Sequence, residues 1–230
     1  MQPPINAGTI LQNRYKIIKT LGQGGFGRTY LAEDQRRFNE LCAIKELIPA
    51  TTGVSAWEKA KELFEREAAS LYQIEHPQVP KFRERFEQDQ RLFLVQDYVE
   101  VKTYYELLEE RKNIGGSFTE AEVLRLIRSM LPVLSYIHSK GIIHRDISPD
   151  NIIMRESDKL PVLIDFGVVK ELRLRLRSQN STPQTYVGKP GYSPSEQIQT
   201  GQAYPSSDLY ALAVSAIVLL TAKEPAELFD

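Results

Sequence analysis

His144-Arg145-Asp146-Ile147-Ser148-Pro149-Asp150-Asn151, with Asp165-Phe166-Gly167 downstream, places a carboxylate, a carboxamide and a second carboxylate at a spacing suited to phosphoryl transfer. Asp146 can accept a hydroxyl proton. Asn151 and Asp165 offer the hard oxygen ligands that Mg²⁺ prefers when it shares a substrate's phosphates. Ser148 is the residue in this stretch that such a site does not call for.

Upstream, Leu21-Gly22-Gln23-Gly24-Gly25-Phe26-Gly27-Arg28-Thr29-Tyr30 reads as a glycine-rich turn between two strands. Glycines let the backbone approach phosphate closely and present amide N–H groups to it. A strand before the turn and a helix after it would suggest a dinucleotide fold, but a second strand follows here. Taken alone, the turn reads equally as a glycine-rich hairpin. Cys42-Ala43-Ile44-Lys45 sets a lysine in an otherwise apolar strand, where its ammonium needs an anion, either phosphate or carboxylate. Glu67 on the following helix is the candidate protein partner; beside Arg66, it also reads as a solvated helix glutamate.

The remaining chain frames these segments. Strands are expected at Tyr15–Leu21, Thr29–Glu33, Leu41–Leu47, Lys81–Phe86 and Arg91–Val99, and a helix over Ala56–Ile74. From about Thr103 the pattern turns mostly helical. Thr119-Glu120-Ala121-Glu122 is a capping box that starts a helix running to Ser139, with Gly141 as its stop. Residues 142–170 read as short strands and loops, and 171–193 as a long surface segment. The expected architecture is α+β: a tail over 1–13, a small β-rich lobe over 14–98 and a mainly helical lobe over 99–230, hinged near Asp97 to Val101.

Composition limits the function classes. The 230 residues are 42% hydrophobic and 26% charged, with a formal net charge of −1. That balance gives no global case for nucleic acid or an anionic membrane as partner. The N-terminus has no signal-peptide pattern, and the longest apolar run, Leu209 to Ala222, is too short to span a bilayer. Cys42 is the only cysteine, so a reducing cytosol is the simplest setting.

Taken in order, Gly22/Gly24/Gly27, Ala43-Ile44-Lys45, Glu67, His144-Arg145-Asp146, Asn151, Asp165-Phe166-Gly167, Gly191-Tyr192, Glu196 and Asp208 resemble the motifs of the eukaryotic-like (Hanks-type) protein kinases, and within them the bacterial Ser/Thr kinases. The resemblance covers nearly the whole chain from Tyr15 and implies a bilobal kinase fold using ATP and Mg²⁺. It implies that Lys45 holds the α/β-phosphates and pairs with Glu67, that Asp146 deprotonates the substrate hydroxyl, and that Asn151 and Asp165 bind Mg²⁺. The loop Gly22, Gly24, Gly25, Phe26 and Gly27 would cover the phosphates. Leu21, Ala43 and Ile153 would sandwich the adenine beneath Thr29, with Gln96 behind it and the Asp97 to Val99 backbone at its edge. Arg145 marks the class in which phosphorylation of the activation loop supplies a partner for that arginine. Ser178, Ser181, Thr182, Thr185 and Tyr186 are then candidate acceptors, with a transient homodimer serving autophosphorylation.

Two departures stand out against the family. Ser148 occupies the place of a lysine that contacts the transferring phosphate, and Lys189 the place of a threonine that bonds to the catalytic aspartate. Together they read as an exchange across the substrate cleft, with Lys189 restoring the charge and Ser148 the hydroxyl. The resemblance also implies that an arginine partner for Glu196 and the last helices of the second lobe lie beyond Asp230, so that residues 1–230 alone would be of low stability. Transfer to protein Ser/Thr hydroxyls is the leading expectation. A pseudokinase acting as a nucleotide-binding scaffold would be expected to lose Lys45, Asp146 or Asp165, all of which are present. A small-molecule phosphotransferase would lack the glycine-rich loop and the 188–196 segment.

Overall fold

Residues 3–24, 27–47, 54–100, 102–166 and 189–228 are described by a computed structural model of the chain. They fall into two compact units. One draws on residues up to Glu75 and on Pro80–Tyr98, the other on His76–Val79, on 99–166 and on 189–228.

The first unit is an antiparallel sheet of six strands in the order β1-β2-β3-β4-β6-β5. The strands are β1 (Ile10–Leu11), β2 (Tyr15–Gly24), β3 (Gly27–Asp34), β4 (Glu40–Leu47), β5 (Phe82–Gln88) and β6 (Arg91–Asp97). β5 and β6 are joined by Asp89–Gln90, both at positive φ, as a two-residue hairpin of matching twist requires. The edges of the sheet are drawn together by side chains. Gln12 N donates to Gln88 Oε1 at 2.9 Å, and Arg14 bonds both Asp34 oxygens at 2.7 Å and Glu84 at 2.9 Å. Tyr15, Ile17, Tyr30, Ile44, Phe93 and Val95 form a buried apolar cluster, against which Ile5 and Phe86 pack. Helix α1 (Val54–Tyr72) turns Ala60, Phe64 and Ala68 inward at helical spacing.

Residues 3–11 differ from the expected tail. Ile10–Leu11 pairs with Tyr15–Lys16, Gly8 N donates to Ile17 O at 2.7 Å, and Leu11 is buried. Two strand residues flanked by turn formers are too few to show alternation, so the sequence carries little sign of them.

The second unit is built on α2 (Tyr104–Lys112) and α3 (Glu120–Ser139), each opened by a complete capping box from Thr103 and Thr119. The inward stripe of α3, Val123, Leu126, Met130, Val133, Leu134 and Ile137, packs on α5 (Pro205–Thr221) and on the hairpin of β7 (Ile152–Met154) and β8 (Pro161–Leu163). A short α4 (Ser195–Thr200) precedes α5. The apolar run from Leu209 lies in α5 with Leu212, Val214, Val218 and Leu219 buried. Among the described residues, no helix is long and apolar enough to cross a membrane.

Candidate active site

In the second unit the loop from His144 to Asn151 is fixed from beneath. Asp208, almost fully buried on α5, accepts from His144 N at 2.9 Å and His138 Nε2 at 2.8 Å through Oδ2, and from Arg145 N at 2.8 Å through Oδ1. Gln197 on α4 donates to Arg145 O at 2.8 Å. These bonds hold Arg145 in the left-handed region, at φ 68°, a conformation that a non-glycine residue keeps only when its surroundings over-determine it.

The partners of His144 define its protonation. Its Nε2 meets Ile164 O at 2.9 Å, and its Nδ1 faces Asp146 N at 3.3 Å. A carbonyl only accepts and an amide only donates, so the ring is neutral with its proton on Nε2. Burial pushes its pKa below the ordinary imidazole value, in agreement. The buried histidine therefore orients the Asp146 backbone without adding charge.

Asn151 is tied to Asp146 twice, its Nδ2 donating to Asp146 O at 2.6 Å and to Oδ2 at 2.9 Å. Those acceptors assign the carboxamide nitrogen to the Asp146 side, so Oδ1 is the remaining acceptor, an atom type that suits a hard cation. Ile164 N donates to Asn151 O at 2.9 Å, so Asp165 follows a residue anchored to Asn151. Asp165 itself is left-handed, at φ 59°.

Ser148 and Lys189 meet at a residue that sequence reasoning passed over. Asp150 Oδ2 pairs with Lys189 Nζ and accepts from Ser148 Oγ at 3.4 Å. Ser148 is fully buried, whereas Asp150 and Lys189 are partly exposed. Lys189 Nζ also lies 4.9 Å from the Tyr192 ring centre and 5.7 Å from that of Tyr105, within cation–π range. Its loop turns tightly, with Tyr192 N and Ser193 N donating to Lys189 O at 3.0 and 3.1 Å. Gly191 has φ +80°, and a Cβ there would lie 2.4 Å from Pro225 Cβ, so the turn admits only glycine without rearrangement. Asp150 and Lys189 are each visible in the sequence; their pairing across 39 residues is not. Glu196 accepts from Ser207 Oγ at 3.3 Å.

The first unit carries the other predicted residues on neighbouring strands. Thr29 is opposite Lys45, Gly22 opposite Thr29, and Ala43 opposite Gln96. Asp97 ends β6, its carboxylate held by Arg83 Nε at 2.6 Å. Leu21 is exposed and Ala43 buried, while Ile153 is buried on β7 of the second unit. Gly22 has nothing within 4 Å of an added Cβ, whereas at Gly27 a Cβ would come 2.1 Å from Glu46 O. Packing therefore demands glycine at 27 and leaves 22 open. Gly25, Phe26, the Glu67 side chain, Gly167 and the acceptors at 178–186 lie outside the described residues, and with them the Lys45–Glu67 pairing.

Comparison with known proteins identifies the family. A family model described as protein kinase domain matches residues 15–228. The serine/threonine-protein kinase PknA of Nostoc sp. is 45% identical over 95% of this chain, and serine/threonine-protein kinase B of Synechocystis sp. is 42% identical over 95%. The chain spans 39% and 38% of the length of those relatives. Among solved structures, the apo form of PpkA-294 matches with a TM-score of 0.77 and 28% identity, covering 96% of this chain and 79% of that one.

Proposed function

The chain belongs to the protein kinase family, and on that premise we propose that it transfers the γ-phosphate of ATP to serine or threonine hydroxyls of proteins. The observation that carries this reading is the fixed group formed by Asp146, Asn151, Ser148, Asp150 and Lys189 on two neighbouring loops of one unit. Asp146 accepts the proton of the attacking hydroxyl, and the neutral His144 and the Asn151 amide keep it oriented. Asn151 Oδ1 and the Asp165 carboxylate would hold Mg²⁺, which when bound would neutralise charge on the phosphates. Lys45 supports the α/β-phosphates with Glu67 as its partner, and the glycine-rich loop, Leu21, Thr29, Ala43, Gln96, the Asp97 to Val99 backbone and Ile153 receive the rest of the nucleotide.

Lys189 supplies the cation that Ser148 does not. The two positions share one carboxylate oxygen of Asp150, which supports their exchange as a unit. Asp150, four residues after Asp146, holds the ammonium. Autophosphorylation within 178–186 through a transient homodimer fits the presence of Arg145, and a single cysteine, Cys42, buried as a free thiol, suits a cytoplasmic setting. The test is transfer from ATP to a generic Ser/Thr substrate by the full-length protein, with Asp146→Ala as control. Transfer that Asp146→Ala abolishes supports the reading; nucleotide binding without transfer would favour the scaffold alternative.

A further inference from the structure

A buried charge cluster lies on the face of the sheet opposite to Lys45. Glu46 and Arg28 are only 2% and 4% exposed and stand opposite each other in the β3–β4 ladder, one step from the Thr29–Lys45 pair. Glu46 Oε2 accepts from Arg28 Nη1 at 3.3 Å and from Tyr30 OH at 2.7 Å, and its Oε1 accepts from Arg91 Nη1 at 2.8 Å. The N-terminal segment completes the cluster. Arg91 Nη1 donates to Pro3 O at 2.9 Å, Ile5 N donates to Tyr30 OH at 3.2 Å, and Ile5 packs on the apolar cluster beneath.

Side chains alternate between faces along a strand, so a one-residue slip of β3 against β4 would exchange the faces. Arg28 and Glu46 would then leave their partners, and Lys45 would turn toward the apolar side. A buried ion pair adds little net stability over apolar residues of equal size, and fixing register is its best-attested use. The close approach of Gly27 to the Glu46 carbonyl ties the base of the glycine-rich turn to the same point.

We propose that Glu46 is a positioning residue for the nucleotide: with Arg28, Tyr30 and Arg91, and closed by Pro3–Ile5, it locks the register that presents Lys45 and the glycine-rich turn. The inference rests on the reading that those two elements hold ATP. It predicts that contacts made by residues 3–5, on the far face of the sheet, set nucleotide affinity.

The experiment uses the full-length protein and compares Glu46→Gln, Arg91→Met and Arg91→Lys with wild type, measuring KM for ATP, kcat, the Kd of a fluorescent ATP analogue and Tm. Arg91→Met leaves the Arg28–Glu46 pair in place, so it keeps the test open if Glu46→Gln does not fold. Loss of uniform nucleotide binding raises KM and leaves kcat unchanged, so Arg91→Met is expected to raise KM and Kd about five- to tenfold with kcat within about twofold, and Arg91→Lys to recover most of the loss. An Arg91→Met protein with lowered Tm and unchanged KM and Kd would overturn the inference and leave the cluster a structural one. A wild-type protein that binds no nucleotide would instead overturn the reading beneath it.

Discussion

Lys189→Thr separates stability from catalysis at this site. The Lys189 and Asp150 side chains are 35% and 41% exposed, and ion pairs at such exposure contribute about 0–1 kcal/mol. Its removal should therefore change the unfolding free energy by less than about 1 kcal/mol. A preorganised donor aimed at the charge of a transition state is worth far more, about 3–4 kcal/mol, or a factor of about 10²–10³ in rate. Lys189→Thr should thus lower kcat by that factor with an almost unchanged melt. Adding Ser148→Lys places an ammonium two residues from Asp150, whose carboxylate the first substitution has released. Position 148 is buried, so the new lysine must use that carboxylate, and turnover should return to within about tenfold of wild type. Single-turnover phosphate transfer at saturating ATP, with a denaturant melt of each variant, reads both quantities. A double variant no faster than Lys189→Thr, or a Lys189→Thr protein with wild-type kcat, would refute the exchange.

Three further outcomes follow from the same geometry. Asp208→Ala strands the His144 and Arg145 amides and the His138 donor, at about 1–3 kcal/mol for each group left unsatisfied, so denaturant unfolding should show a loss of several kcal/mol together with a fall in kcat. Gly191→Ala, strained at φ +80° and overlapping Pro225, should cost about 1–3 kcal/mol, whereas Gly22→Ala, with open space around it, should stay within about 0.5 kcal/mol of wild type in the same melts. Bonding to Arg111 lowers the Glu122 carboxyl to about 2 from the ordinary value of 4.5. Its stabilising contribution is therefore complete above pH 4.5 and is lost as pH falls toward 2, so the Tm difference between wild type and Glu122→Gln should shrink over that window.

Much of this arrangement is legible in the sequence because it rests on local rules. Alternation marks β2, short apolar runs mark β4 and β6, the Thr119 capping box marks the start of α3, and the spacing from Asp146 to Asn151 is written in one stretch. Boundaries drift where tertiary contacts decide them. The helix expected over Ala56–Ile74 spans Val54–Tyr72, and the strand expected to reach Val99 ends at Asp97. Contacts between distant segments leave no local trace. Arg28 reads as an ordinary basic residue after a glycine turn, yet it is buried on Glu46, 18 residues away. Asp150 carries no local sign of its pairing with Lys189. Asp208 is recognisable as a motif position, but its hold on two backbone amides 63 and 64 residues earlier is a property of the folded chain.

The central claim is that Asp146 and its neighbours move phosphate to a protein hydroxyl. Its most direct test is incubation of the full-length protein with γ-labelled ATP, Mg²⁺ and a generic Ser/Thr substrate, followed by identification of the phosphorylated residues. Label is expected on serine or threonine for wild type and none for Asp146→Ala, with nucleotide affinity largely retained in that variant. Equal label from wild type and Asp146→Ala, or none from a wild-type protein that binds ATP, would contradict it.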